Sequence, residues 1–258
     1  MAKTEIKCIW IDLMPALPGF TNGGAKIFVY DLIKRLARFA PNTKMVLMTT
    51  DSTYEELAAL EAPNVVRHLI PTNPGLPPRA WRNRITGYIL RRSPPVLQKL
   101  IYKLLSPLLS VGGLRSPRAE ADVIFFPFGL SYPFRGLPLV SSRSSCVAIV
   151  YDLQHLTYPE FFRAEDLAER RYCLEFHKGH ALIAVISDFV RDSVIDLGHA
   201  SPRTTTTIHI RLKARLADAD ENTARALTRR LQVTRERYFV YPANFWHHKN
   251  HEMLLVAV

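Results

Sequence analysis

Asp152 and His155 stand three positions apart, directly after an apolar run over residues 146–151. The run is rich in β-branched residues, which predicts a buried strand. In an open α/β sheet, ligands bind at the carboxyl ends of the strands, so an aspartate placed there can orient a substrate hydroxyl group. A neighbouring histidine can then carry a proton. The same spacing also suits a hydrogen-bonded loop, and it leaves both interpretations open.

A loop rich in proline and glycine follows the first apolar run, which covers residues 6–13. The loop ends at Gly23 and Gly24, and helical periodicity begins at Ile27. Because the N–H groups of a helix N-terminus point outward and glycine permits close approach, this strand, loop and helix can bind an anion. The loop matches neither GxGxxG nor a Walker loop. A simple tight turn is therefore the alternative.

The third candidate region is residues 238–258. An aromatic and β-branched run over 238–242 predicts a strand, a polar loop follows, and a helix is predicted from His251. His247 and His251 have the i, i+4 spacing that places two metal ligands on one helix face. However, the glutamate of an HExxH motif would fall at position 248, which is histidine. A zinc hydrolase is therefore the less favoured interpretation.

Apolar runs and helical patterns alternate along most of the chain, which predicts an α/β fold with a doubly wound parallel sheet. Ser187 is predicted to cap a helix that ends before Gly198. Further strands are predicted over residues 44–50, 64–70, 121–127, 181–186 and 204–210, and helices over 54–60, 165–178 and 212–233.

The net charge of +11 is concentrated in one segment, because no acidic residue occurs between Glu61 and Glu120. The segment also contains a leucine stripe at helical spacing, so it is typical either of a helix packed on the sheet or of an amphipathic helix on an anionic membrane. No nucleic-acid-binding motif accompanies the charge, which disfavours DNA or RNA as a partner. The predicted membrane contacts are Arg82, Arg84, Arg91, Arg92, Lys99 and Lys103.

No apolar window reaches the length of about 18 residues that a transmembrane helix needs, and no signal-peptide pattern opens the chain. These observations predict a cytoplasmic protein, and the basic segment allows a peripheral location at the inner face of the membrane as one of its two interpretations. The three cysteines are odd in number and lack CxxC spacing, which disfavours a disulfide framework or a zinc site.

Four stretches resemble the N-terminal part of family-4 glycosyltransferases of the GT-B fold. They are the Gly23-Gly24 loop, residues 150–162 (VYDLQHLTYPEFF), residues 184–189 (AVISDF) and residues 241–250 (YPANFWHHKN). The resemblance implies an acceptor-binding domain that faces a nucleotide-sugar-binding domain, with transfer that retains anomeric configuration. It implies no metal or other cofactor.

Individual roles follow from the same resemblance. Gly23 and Gly24 match a loop near the donor diphosphate, and Lys249 matches a lysine that neutralises it. Asn244 stands where the family commonly has arginine, and Tyr151 stands where it commonly has the histidine before Asp152. His155 is a candidate substitute for that histidine. Backbone N–H groups and an ammonium group suit a leaving nucleoside diphosphate.

The expected organisation is an acceptor domain over residues 1–210, a linker helix over 211–236 and the first βα unit of an incomplete donor domain over 237–258. The expected partners are a nucleotide sugar and a lipid-linked or glycan acceptor. The alternative is a non-catalytic membrane-associated or scaffold protein that keeps this fold.

Overall fold

The computed structural model describes residues 5–19, 21–70, 121–129, 145–210, 220–234, 237–243, 245 and 249–257. Its centre is a sheet of seven parallel strands in the order β3-β2-β1-β4-β5-β6-β7. The predicted doubly wound α/β fold is confirmed. The strands are β1 Cys8–Asp12, β2 Lys44–Thr49, β3 Val65–Leu69, β4 Val123–Phe126, β5 Ser145–Val150, β6 Ala181–Val185 and β7 Thr205–Thr207.

Helices connect and flank these strands. They are α1 Gly23–Phe39, α2 Gln154–Thr157, α3 Ala164–His180, α4 Asp188–Asp196, α5 Glu221–Arg230 and α6 His251–Ala257, with short 3-10 turns at Glu56–Leu60 and Pro159–Phe161. Ser187 caps α4 as predicted, because its Oγ accepts a hydrogen bond of 3.2 Å from the Val190 N–H. This bond satisfies one of the unpaired donors that every helix N-terminus leaves.

The two faces of the sheet carry separate apolar clusters. Trp10 and Phe126 belong to one cluster, which also includes Phe176 of α3. Ile11 belongs to the other, together with Val29 and Ile33 of α1. Because neighbouring residues of a strand point to opposite faces, α1 and α3 cover opposite sides of the sheet.

Two predictions in the C-terminal part are wrong. The predicted helix over residues 212–233 is not continuous, because Asp220 has an extended ψ of 131° and caps a helix that begins at Glu221. The predicted strand over residues 238–242 does not form, and Phe239 and Val240 are 82% and 72% exposed. A strand needs a neighbour for its hydrogen bonds, and the seven-stranded sheet of the described residues does not extend to this segment.

The six predicted membrane-contact residues lie outside the described part of the chain. Within the described part, no helix has the length and apolar character needed to cross a bilayer.

Candidate functional site

The strand order creates a switch point between β1 and β4, where successive connections leave in opposite directions. Crevices of this kind, outside the carboxyl ends of the strands, bind ligands in doubly wound sheets. The loop after β1 leads to Gly23 and Gly24, and the loop after β5, the neighbour of β4, contains Asp152 and His155. The sheet therefore brings these four predicted site residues to one edge.

Asp152 has two described contacts. Its Oδ1 accepts a hydrogen bond of 3.1 Å from the Gln154 N–H and lies 3.5 Å from Nη1 of Arg170. The Asp152 side chain is 38% exposed, so these contacts orient the carboxylate without removing it from solvent. The sequence left open whether Asp152 holds the loop or meets a ligand, and this geometry allows both.

His155 lies on α2 and is only 3% exposed. Neither of its ring nitrogens has a hydrogen-bond partner among the residues that the structure describes. Burial lowers the pKa of this imidazole, Arg170 and Arg171 lower it further, and Asp152 opposes them. His155 is therefore neutral at pH 7 and able to accept a proton. Buried polar groups are rarely left unpaired, so this imidazole is a candidate for ligand contact.

The turn at Gly23 and Gly24 that leads into α1, called the glycine turn below, has the features of an anion site. Gly23 has a φ of +58°, a conformation that glycine adopts without strain. Asn22 makes no side-chain cap on α1, and the first turn of α1 carries no acidic residue. Instead, Asn22 Oδ1 accepts a hydrogen bond of 2.6 Å from the Leu17 N–H. Neither Asn22 nor an acidic side chain of the first turn therefore competes for the first N–H groups of α1, which suits an anion site.

Lys26 holds the glycine turn in place, a role that the sequence did not reveal. The residue is 3% exposed, and its Nζ donates to the carbonyl oxygens of Leu17 at 2.6 Å and Gly19 at 2.8 Å. Its charge is paired with Glu56 Oε1 at 2.6 Å, and Glu56 Oε2 accepts from the Gly19 N–H at 3.1 Å. These contacts occupy the ammonium group, so Lys26 shapes the loop rather than offering a cation to a ligand.

Asp12, at the end of β1, was also missed. Its side chain is fully buried, and Oδ1 accepts a hydrogen bond of 3.2 Å from the Met14 N–H. This contact fixes the direction in which the chain leaves the strand towards the glycine turn. An aspartate inside an apolar run gives no sequence signal for such a role.

Lys249 is not joined to the glycine turn by any hydrogen bond or ion pair among the described residues. It is exposed, and its carbonyl oxygen accepts a hydrogen bond of 2.6 Å from the Tyr241 O–H. Asn244 lies outside the described residues, as do His247 and His248. In the part of the chain that the structure describes, no group of three or more His, Cys, Asp or Glu side chains is placed to hold a metal ion.

No protein-family model matches the chain, and no curated protein matches its sequence. Among solved structures, Anabaena Alr3699/HepE in complex with UDP-glucose is similar at 13% identity and a TM-score of 0.49, over 88% of this chain and 50% of that one. Arabidopsis thaliana UGT89C1 is similar at 11% identity and a TM-score of 0.47, over 88% of this chain and 55% of that one. The chain thus spans about half the length of these structures.

Proposed function

We propose that the protein is a retaining glycosyltransferase that uses a nucleotide sugar and acts in polysaccharide or glycolipid assembly. The observation that carries the proposal is the placement of the glycine turn and of Asp152 with His155 at one edge of the parallel sheet. The sequence resemblance to family-4 glycosyltransferases supports the same reaction. No cofactor is required, because the leaving diphosphate is stabilised by N–H groups and ammonium.

In the proposed reaction the glycine turn and the Asp152–His155 pair have different roles. The first N–H groups of α1, at Gly23 and Gly24, bind the donor diphosphate as negative charge develops on it. Lys249, with Asn244 beside it in sequence, contacts the same diphosphate in the complete donor site. Asp152 orients the acceptor hydroxyl group, and the neutral imidazole of His155 accepts its proton.

In a protein that carries the complete donor domain, replacing Asp152 with Asn should reduce kcat/KM for sugar transfer by about 10²-fold or more, the usual contribution of a positioned acid or base. The amide preserves the size of the side chain but removes its charge. Transfer from a panel of UDP- and GDP-sugars to glycan and lipid-linked acceptors would measure the effect, and NMR of the product would show whether configuration is retained.

Asp166→Asn is the matched control, because Asp166 is on α3 and its described ion pair is with the highly exposed Arg163. This variant should keep the activity of the wild type. Absence of both nucleotide-sugar binding and transfer across the panel would refute the proposed function and leave the scaffold alternative.

A peripheral location on an anionic membrane is a separate part of the proposal, supported by the basic segment between Glu61 and Glu120. Changing Arg82, Arg84, Arg91 and Arg92 to Gln should weaken binding to anionic vesicles at least tenfold, since each basic residue near the surface contributes about 1 kcal/mol. Vesicle sedimentation would measure this. The control variant changes Lys34, Arg203, Arg229 and Arg230 to Gln, which removes the same total charge elsewhere. Equal binding by both variants would contradict a membrane role for the segment.

A further inference from the structure

Arg170 of α3 is held in a fixed position beside the proposed acceptor site. Its Nη1 lies 3.5 Å from Asp152 Oδ1, and its guanidinium carbon lies 4.8 Å from the centre of the Phe162 ring. The Phe162 ring faces the flat guanidinium group of Arg170, and the Asp152 carboxylate lies at one end of that group. A guanidinium oriented in this way loses little entropy when it binds a second oxyanion.

Arg170 also has room for a ligand. Its side chain is 39% exposed, and its described contacts are the ion pair with Asp152 and the Phe162 ring. Arg171 is its neighbour in sequence and is exposed. The charges of Arg170 and Arg171 both reach His155, and Asp152 opposes them. The imidazole of His155 therefore lies within reach of two positive charges and one negative charge.

His155 is a second feature of this region that points to a ligand. Its side chain is 3% exposed and neither ring nitrogen has a hydrogen-bond partner in the described part of the chain, whereas nearly all buried polar groups in proteins are paired. A ligand that reaches both the guanidinium group and this imidazole would supply the missing partner. Such a ligand must carry an oxyanion for the arginine and a hydroxyl group for the histidine.

We infer that Arg170 binds an oxyanion of the acceptor, so that the acceptor is a hydroxyl compound with a phosphate or carboxylate group a few bonds from the reacting hydroxyl. Arg170 meets the oxyanion through paired N–H donors, and His155 with Asp152 meets the hydroxyl group. The inference deepens the proposed function, because it names the chemical class of the acceptor. Phosphate and carboxylate share the geometry that a guanidinium group recognises.

Three small molecules of matched size separate the alternatives: glycerol 3-phosphate, glycerate and glycerol. Each would be titrated into the full chain without nucleotide sugar while the Arg Nε–H and imidazole signals are followed by NMR. Saturable binding of glycerol 3-phosphate or glycerate, with glycerol much weaker, is the expected result, and the tighter anion identifies the group. Arg170→Gln should weaken that binding by about tenfold or more, as loss of a charge-assisted hydrogen bond implies.

Arg163→Gln is the matched control, because Arg163 lies at the start of α3, is 82% exposed and pairs with Asp166 instead. Its binding should equal that of the wild type. Arg170→Lys keeps the charge but not the paired donors, so it should bind with intermediate affinity and remains informative if the Gln variant unfolds.

The inference would be overturned if neither anion binds the wild type. It would also be overturned if the Arg170→Lys and Arg170→Gln variants melt normally and bind the anions as tightly as the wild type. The proposed function fails separately, by absence of nucleotide-sugar binding. An oxyanion site without nucleotide-sugar binding would therefore uphold this subsite and refute the transferase.

Discussion

Replacing Lys26 with Met should lower the free energy of unfolding by about 2–4 kcal/mol, and urea denaturation would measure the change. The Lys26 side chain is 4% exposed and contacts three oxygen atoms within 2.8 Å, on Leu17, Gly19 and Glu56. Methionine has a similar length but no donor. The two carbonyl groups would lose their partner; a buried acceptor left unsatisfied costs about 1–3 kcal/mol, and water can reach these part-buried carbonyls in part.

The expected loss is smaller than for a fully buried ion pair because the Glu56 carboxylate is 36% exposed and water can replace part of its partner. Lys34→Met is the matched control, since Lys34 lies on the same helix and is exposed. It should change stability by less than about 0.5 kcal/mol. Similar small changes in both variants would show that the Lys26 contacts do not hold the glycine turn.

The same variant has a functional consequence if the proposed donor site is correct. Loss of the Lys26 contacts frees the loop that precedes Gly23, so the first N–H groups of α1 are no longer held ready for an anion. Nucleotide-sugar affinity should then fall at temperatures where the protein is still folded. Isothermal titration well below the unfolding midpoint would measure this.

The sheet could be predicted because its inner strands are largely buried. Such strands are nearly continuous apolar runs, as in residues 6–13 and 146–151, and they contrast with the helical periodicity between them. The cap at Ser187 was also predictable, because capping depends on the residue type at one position. Local chemistry decides these features, and the sequence shows local chemistry directly.

The roles of Lys26 and Arg170 could not be predicted, because their partners are distant in sequence. Lys26 meets Glu56 from the 3-10 turn that follows β2, and Arg170 meets Asp152 across α2 and the start of α3. Lysine and arginine are mostly exposed in proteins, so neither residue type suggests a fixed contact. Only the folded arrangement brings these charges together.

The error over residues 238–242 has a related cause. The run has strand composition, but β-propensity mainly describes how well a residue suits a pleated surface already formed by neighbours. Phe239 and Val240 have no such surface beside them among the described residues and are mostly exposed. The placement of Asn244 and Lys249 in a donor site therefore stays a prediction.

Lowering the pH from 7.5 to 4.5 should cost the protein about 2.5 kcal/mol of stability through His177 alone. This side chain is 2% exposed and lies beside the rings of Phe126 and Phe176 at centroid distances of 5.9 Å and 5.8 Å. Within the described ranges, neither of its ring nitrogens has a hydrogen-bond partner. Burial lowers its pKa from 6.5 to about 4. The folded protein therefore keeps the imidazole neutral while the unfolded chain takes up a proton.

The sign follows from this difference in proton uptake. Above pH 6.5 His177 is mainly neutral in both the folded and the unfolded state, so its titration does not lower the stability of the folded protein there. As the pH falls below 6.5 the unfolded state gains protons first, and the folded state loses stability until its own pKa of about 4 is reached. Each tenfold difference in proton affinity is about 1.4 kcal/mol, so the total loss approaches about 3 kcal/mol.

Urea denaturation of the wild type and of His177→Phe at both pH values would test this. Phenylalanine is compatible with the aromatic surroundings and does not titrate, so most of this loss between pH 7.5 and 4.5 should disappear in the variant. His155, whose pKa burial and Arg170 also lower, would still contribute. His209→Gln is the control for removing an exposed histidine, because the His209 side chain is 66% exposed. If His177→Phe instead retained the full pH dependence, His177 would have to be protonated or hydrated in the folded protein, contrary to its burial.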